Sequence, residues 1–198
     1  MTKFVDRFKE RPASYSFFSS WEWDKEEWYD NYILGKKKES NGAMLFGSLV
    51  GDSIGTPNSL VPTLTPPGVK EYEMRAEVDG IMLVGFADHY CPLTKTLHEN
   101  KTTTNKKKWT KQSVDEHKQL DMYALLLMLQ DKTHPSEVTM YLNYIPVELK
   151  GVGYKLPKVP TYVQIETKRT ALQVAQYAQY IKDTVREMEA WVLNRQCE

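Results

Sequence analysis

The chain has 198 residues, enough for one domain with a substantial core. Lys+Arg and Asp+Glu both number 26, so the overall charge announces no polyanionic partner, and any such contact must come from local clusters. Two distant cysteines, Cys91 and Cys197, argue against a zinc site, a disulfide framework and an iron–sulfur cluster, and no run approaches the ~20 apolar residues of a membrane span.

The N-terminus, MTKFVDRFKERP, lacks the apolar core of a signal peptide, and a cytoplasmic protein is expected. Residues 1–13 are charged and read as a loosely held arm, leaving 14–198 as a single domain. From Ser14, Phe17, Trp21, Trp28 and Tyr32 recur on one face of a helix, which Gly35 closes. That face reads as aromatic core rather than as a base-stacking surface. Lys36-Lys37-Lys38 is a loop. Ala43–Ile54 reads as a second helix, with Met44, Leu45, Leu49, Val50 and Ile54 apolar. Gly47 and Gly51 would admit another backbone closely, at some cost in helix propensity. Asp52 lies near the end of this helix. Thr56–Gly68, with four prolines, is a loop able to act as a flap. Glu71–Val78 alternates as a strand, and Glu73 is a surface charge with an outside claim to the site.

The most informative stretch is Gly80–Thr103, GIMLVGFADHYCPLTKTLHENKTT. Two strand-like runs flank Cys91-Pro92-Leu93, which breaks the pattern as a hairpin connection does. Alternation puts Glu99 and Lys101 on one face and Asn100 on the other. Pairing the strands brings Asp88 towards Glu99. Two carboxylates beside one ammonium suit a hard divalent cation and a polarised phosphate, although the bare spacing by itself favours a solvated edge hairpin with ordinary surface charges.

Downstream, Lys106, Lys107, Lys108 and Lys111 surround Trp109 in the strongest basic patch of the chain. The lysines suit phosphates or simple solubility, and Trp109 is left either to stack or to pack. Ser113-Val-Asp-Glu116 has a capping-box pattern and is expected to start a helix running to about Gln130. Gln119 and Tyr123, four apart, share a face of it beside Leu120, Ala124 and Leu127. Glu137–Pro146 reads as a strand, Glu148–Pro160 as a loop and Tyr162–Glu166 as an outer strand. A long helix introduced by Thr167 ends near Arg195. Its seam of Val174, Ala178, Ile181, Val185, Met188 and Val192 packs on the domain or against a protein partner or a second copy. The four histidines lack zinc spacing; His89 and His98 flank the Asp88–Glu99 region as supporting residues. No Walker loop or dinucleotide fingerprint is present.

Phe46-Gly47-Ser-Leu-Val-Gly-Asp52, then Asp88, then Glu99-Asn100-Lys101, then Gln119-Leu-Asp-Met-Tyr123 resembles the ordered motifs of the PD-(D/E)xK nucleases. The branch resembled is the RecB-type and phage exonuclease group, without the iron–sulfur cluster that some of its members carry. The resemblance covers about residues 14–145. It implies an α/β, restriction-endonuclease-like core: a central mixed β-sheet flanked by helices, with a long C-terminal helix. It implies Mg²⁺-dependent hydrolysis of DNA phosphodiesters, with Mn²⁺ as a substitute, in recombination, repair or phage DNA processing. Asp88, Glu99, Lys101, Gln119 and Tyr123 would be catalytic. Asp88, Glu99, the carbonyl of Asn100 and Asp52 would hold metal. Lys106, Lys107, Lys108, Trp109 and Lys111 would contact nucleic acid. The alternative is a non-catalytic DNA-binding accessory protein that keeps the fold; the complete Asp, Glu and Lys set argues against such decay.

Overall fold

The structure is a computed structural model describing residue 4 and residues 7–36, 41–105, 107–151 and 153–196. Lys37, Lys38, Lys106, Cys197 and part of the proposed N-terminal arm lie outside the described residues. A five-stranded mixed sheet forms the centre, in the order β1 (Val69–Val78), β2 (Ile81–Cys91), β3 (Thr96–Thr103), β4 (Thr139–Pro146), β7 (Val163–Thr167). β1, β2 and β3 pair antiparallel, β3 and β4 parallel, and β4 and β7 antiparallel. The parallel step needs a crossover, and the helix α6 (Lys118–Gln130) supplies it. β5 (Glu148–Lys150) and β6 (Gly153–Lys155) form a separate small ribbon.

The main core lies on one side of the sheet. There α6, buried nearly all round, packs between the strands, the long helix α7 (Ala171–Gln196) and the aromatic corner of α2 (Tyr15–Trp23) and α3 (Lys25–Tyr32). All-round burial of α6 replaces the single apolar stripe expected of it. The seam Val174, Ile181, Val185, Met188 and Val192 is spent inside the chain, so it offers no face to a partner or second copy. The other side is thinner. α4 (Gly42–Ser53) and the loop after it bury Val50, Ile54, Val61 and Leu64 against Ile145. Met44, Leu45 and Leu49, read as apolar face residues, are exposed. Val61 and Leu64 anchor the proline-rich loop, which is packed rather than a free flap.

Several sequence expectations change in detail. The described part of the arm is held: α1 (Arg7–Glu10) buries Phe8, and Ala13 bonds across to β2 through Met82 and Val84. The first helix breaks at Asp24, whose carboxylate accepts the Glu26 and Glu27 N–H groups and so caps a new helix. Thr110 and Ser113, not Ser113 and Glu116, form the capping box, and it starts the short α5 (Lys111–Asp115). α6 begins separately, with the His117 ring accepting the Gln119 N–H. α7 starts after Thr170, which exchanges hydrogen bonds with Gln173.

Candidate active site

β2 and β3 keep regular pairing only from His89↔His98 to Cys91↔Thr96, then part. Asp88 stands at the parting point, opposite Glu99. Its Oδ2 accepts the Asn100 backbone N–H at 2.5 Å, which ties the two strands where their ladder ends. Across β2's other edge, Glu71 on β1 stands opposite Asp88, between the pairs Lys70↔His89 and Tyr72↔Ala87. Glu71 has φ 51°, a left-handed conformation unusual for a side chain with a Cβ. The consequence is a break in face alternation. Lys70 donates to the Ile54 carbonyl on the α4 side, whereas Tyr72, two residues on, donates to Asp131 at the end of α6 and packs on Tyr90. The irregularity thus falls on the two acidic residues themselves.

Glu99 is buried and held from α6. Gln119 Nε2 donates to its Oε1 at 2.9 Å and to the Tyr123 hydroxyl at 2.6 Å. That hydroxyl lies 2.7 Å from the Phe86 carbonyl and 3.2 Å from Glu99 Oε2, with one proton for the two. Spacing of four residues on a helix puts Gln119 and Tyr123 side by side, as the sequence requires. Gly85 makes the approach possible: a Cβ there would lie 2.8 Å from Leu126 and 3.1 Å from the Tyr123 ring. Lys101 Nζ sits 2.5 Å from Glu99 Oε1, on the same strand face two residues along. Lys101, Gln119 and Tyr123 open onto a cleft of about 360 Å³, whose far wall includes Ser14, Tyr15 and Ser19 of the α2 region.

The electrostatics are unbalanced. Burial, and then the charge of Glu99, push the Asp88 carboxyl up to about 8, against the lowering effect of the Asn100 N–H and Lys101. For Lys101, burial pulls downward, but the charge and hydrogen bond of Glu99 dominate and leave its pKa raised. Glu71 is raised by burial and then by Asp52 and Glu99. Two acidic side chains therefore share one ammonium, so that Asp88 holds its proton at neutral pH, and Gln119 Oε1 is buried without a hydrogen-bond partner. Carboxylate oxygens short of positive charge are the donor set a hard divalent cation takes. The residues present fit such an ion through Asp88 and Glu99. Among the described residues, no three His, Cys, Asp or Glu side chains are grouped to hold one by themselves.

The structure thus brings Asp88, Glu99, Lys101, Gln119 and Tyr123 together. Asn100 contributes its backbone N–H, while its side chain turns to the opposite face and accepts from Asn143 at 2.9 Å. Asp52 is exposed at the end of α4 and meets the cluster through Glu71. Gly47 does admit a neighbour closely, since a Cβ there would be 3.2 Å from Thr102 Oγ1, whereas Gly51 has open space. Lys107, Lys108 and Lys111 are exposed, with Lys111 paired to Asp115. Trp109 packs: it is buried, lies 5.2 Å from the His117 ring and carries Lys108 over its face at 4.9 Å, so it offers no base-stacking surface. Glu73, read from the sequence as a surface charge, pairs with Arg75, whereas Glu71, which the sequence did not single out, stands beside Asp88.

No family model matches the sequence, and no curated protein matches it. The fold does match solved structures. A putative exonuclease from Eubacterium rectale is similar over 94% of this chain and 84% of its own, with TM-score 0.58 and 13% identity. LHK-Exo, solved in complex with dAMP, is similar over 98% of this chain and 96% of its own, with TM-score 0.54 and 15% identity. A phage-related exonuclease from Haemophilus somnus 129PT is similar over 86% and 81%, with TM-score 0.55 and 12% identity. The chain has an exonuclease-like α/β fold. At these identities the likeness is one of fold.

Proposed function

We propose that this chain is a divalent-metal-dependent deoxyribonuclease that works from DNA ends. The observation that carries the reading is the meeting of Asp88, Glu99 and Lys101 where β2 and β3 part, with Glu99 gripped by Gln119 and Tyr123. The fold's likeness to proteins described as exonucleases supports end-wise action, and the dAMP in the LHK-Exo complex supports a deoxyribonucleotide substrate.

Asp88 and Glu99, with the Asn100 carbonyl, would hold Mg²⁺ or Mn²⁺, and Asp52 would reach it only through the rim that Glu71 forms. Such an ion, when bound, lowers the pKa of a coordinated water and offsets charge on the phosphate. Lys101 does the remaining electrostatic work. Its ammonium faces the cleft from 2.5 Å beside Glu99, where it can orient the attacking water and oppose the negative charge that grows on the phosphate. Gln119 and Tyr123 fix the Glu99 carboxylate in one orientation, so little rearrangement is needed during reaction. Lys107, Lys108 and Lys111 lie exposed just after β3, where they would meet backbone phosphates.

The test is incubation with end-labelled single- and double-stranded DNA, with Mg²⁺, Mn²⁺ or EDTA. Metal-dependent release of short products from one end is expected. Internal fragments would replace end-wise action by endonuclease action, and absence of cleavage with either metal would refute the reading.

A further inference from the structure

The α2–α3 corner carries an aromatic side chain that the fold does not use. α2 buries Phe17, Phe18 and Trp21, but Trp23 at its end is 89% exposed. The corner is anchored by the buried Trp21 and Trp28, and exposed ion pairs flank Trp23 on both sides. Glu22 pairs with Lys118 of α6, Lys25 with Glu187 of α7 at 2.7 Å, and Glu26 with Arg195 of α7. Asp24, the next residue, caps α3. Trp23 is therefore presented from a fixed frame.

Its position relative to the cleft is specific. Ser19 lines the cleft that holds Lys101, Gln119 and Tyr123, and it also lines an adjoining hollow of about 340 Å³ shared with Ser20, Trp23 and Glu27. Four residues of helix separate Ser19 from Trp23, about 6 Å along the axis. That is roughly two rises of a stacked nucleic-acid strand at about 3.4 Å each. The hollow's lining has no Lys or Arg, and it includes the carboxylate residue Glu27, so it disfavours a phosphate. The part of a strand that suits an exposed indole next to a hydroxyl-lined wall without a cation is a base, since every base has a π-face.

We propose that Trp23 is a stacking platform for a nucleobase of the strand that occupies the cleft, about two nucleotides beyond the Ser19 rim. This rests on the nuclease reading above. The ring binds substrate and has no part in the chemistry.

The experiment measures binding of the full-length chain to a fluorescein-labelled single-stranded oligonucleotide in EDTA, so that nothing is cut. Parent, Trp23→Ala and Trp23→Phe are compared, and a single abasic site is walked along the oligonucleotide. Trp23→Ala should lose at least about fivefold in affinity and Trp23→Phe less than about twofold. One abasic position should weaken the parent similarly, yet add no further loss to Trp23→Ala, because the two changes remove the same stacking interaction. Equal affinities for parent and Trp23→Ala, or an abasic penalty identical in both at every position, would overturn the platform while leaving the nuclease reading intact. That pair of results would leave the exposed indole to a protein partner instead. A parent chain that neither binds nor cuts DNA would overturn both.

Discussion

The two faces of the β2–β3 pair bury polar groups in opposite ways. On the α6 face, Glu99 and Lys101 meet Asp88, with Gln119 and Tyr123 above them. On the α4 face, His89 and His98 stand side by side in the buried register pair. His98 stacks on Tyr141 at 4.9 Å, and Asn143 links His98, Asn100 and Gln164. The second face stays neutral: burial, and then the neighbouring His89, lower the His98 imidazole to about 4. The first face keeps the Glu99–Lys101 ion pair, while burial and then Glu99 raise Asp88 to about 8 and leave it protonated at neutral pH. Amides and imidazoles share hydrogen bonds on one face, although His89 Nδ1 and Asn100 Nδ2 are buried there without partners, whereas on the other face two carboxyl groups compete for one ammonium, which forces a proton onto Asp88. Such competition favours a bound cation, and it marks the face on which chemistry is expected.

The contrast is broken most severely by exchanging the faces' roles. Glu99→Gln should lower metal-dependent cleavage by at least ~10³-fold, while His98→Gln should change it by less than about threefold at neutral pH. Comparable losses in both variants would erase the distinction.

Stability in EDTA sharpens the comparison next. Asp88 has a folded-state pKa raised above its ordinary value of 3.8 to about 8. Its folded form therefore binds the extra proton between those values. The stability this gives is full below about pH 4 and is lost as pH rises through about 8. Asp88→Asn should accordingly stabilise the metal-free protein at pH 8, by on the order of 2 kcal/mol, and flatten that decline. Added Mg²⁺ should raise the parent's melting temperature and not the variant's. Thermal melts from pH 5 to 9 read both effects.

His98 carries the opposite sign. Its folded pKa is depressed from 6.5 to about 4, so its contribution is present above about pH 6.5 and is lost as pH falls through 4. His98→Gln should reduce the acid-side loss of stability and leave the alkaline side alone. Melts between pH 3.5 and 7 would show it.

The smallest effect concerns binding away from both faces. Changing Lys107, Lys108 and Lys111 to Gln should weaken DNA affinity several-fold and reduce the salt slope by about one for each phosphate no longer neutralised. Since Lys111 already pairs with Asp115, most of the change should come from Lys107 and Lys108. An unchanged slope would make the loop a solubilising segment.

The sequence displays the α6 face because its residues obey simple periods. Glu99 and Lys101 are two apart on a strand, and Gln119 and Tyr123 are four apart on a helix, so their meeting follows from local geometry. The sheet, α6 and α7 are legible for the same reason. Glu71 escapes a sequence reading because its place depends on a left-handed backbone turn inside β1, which no side-chain pattern signals. The break between α2 and α3 is hidden because Asp24 interrupts an aromatic period that continues on both sides of it. Trp109 is ambiguous in sequence because packing against His117 is a tertiary matter, and a run of lysines around an indole looks the same in either case. His117 itself, wedged between Tyr15 and Trp109, gains its role only once α5 and α6 are separate helices.

Lys101 offers the most direct test of the site. It is the one charge on the α6 face assigned to the reaction rather than to holding metal or strand. Single-turnover cleavage of end-labelled DNA, with enzyme saturating and Mg²⁺ present, isolates the chemical step. Lys101→Ala is predicted to bind DNA with near-parental affinity and to cut at least ~10²-fold more slowly, the scale of losing one preorganised stabilising group. A variant that cuts at the parental rate would contradict the account and remove the reason for placing the chemistry where β2 and β3 part.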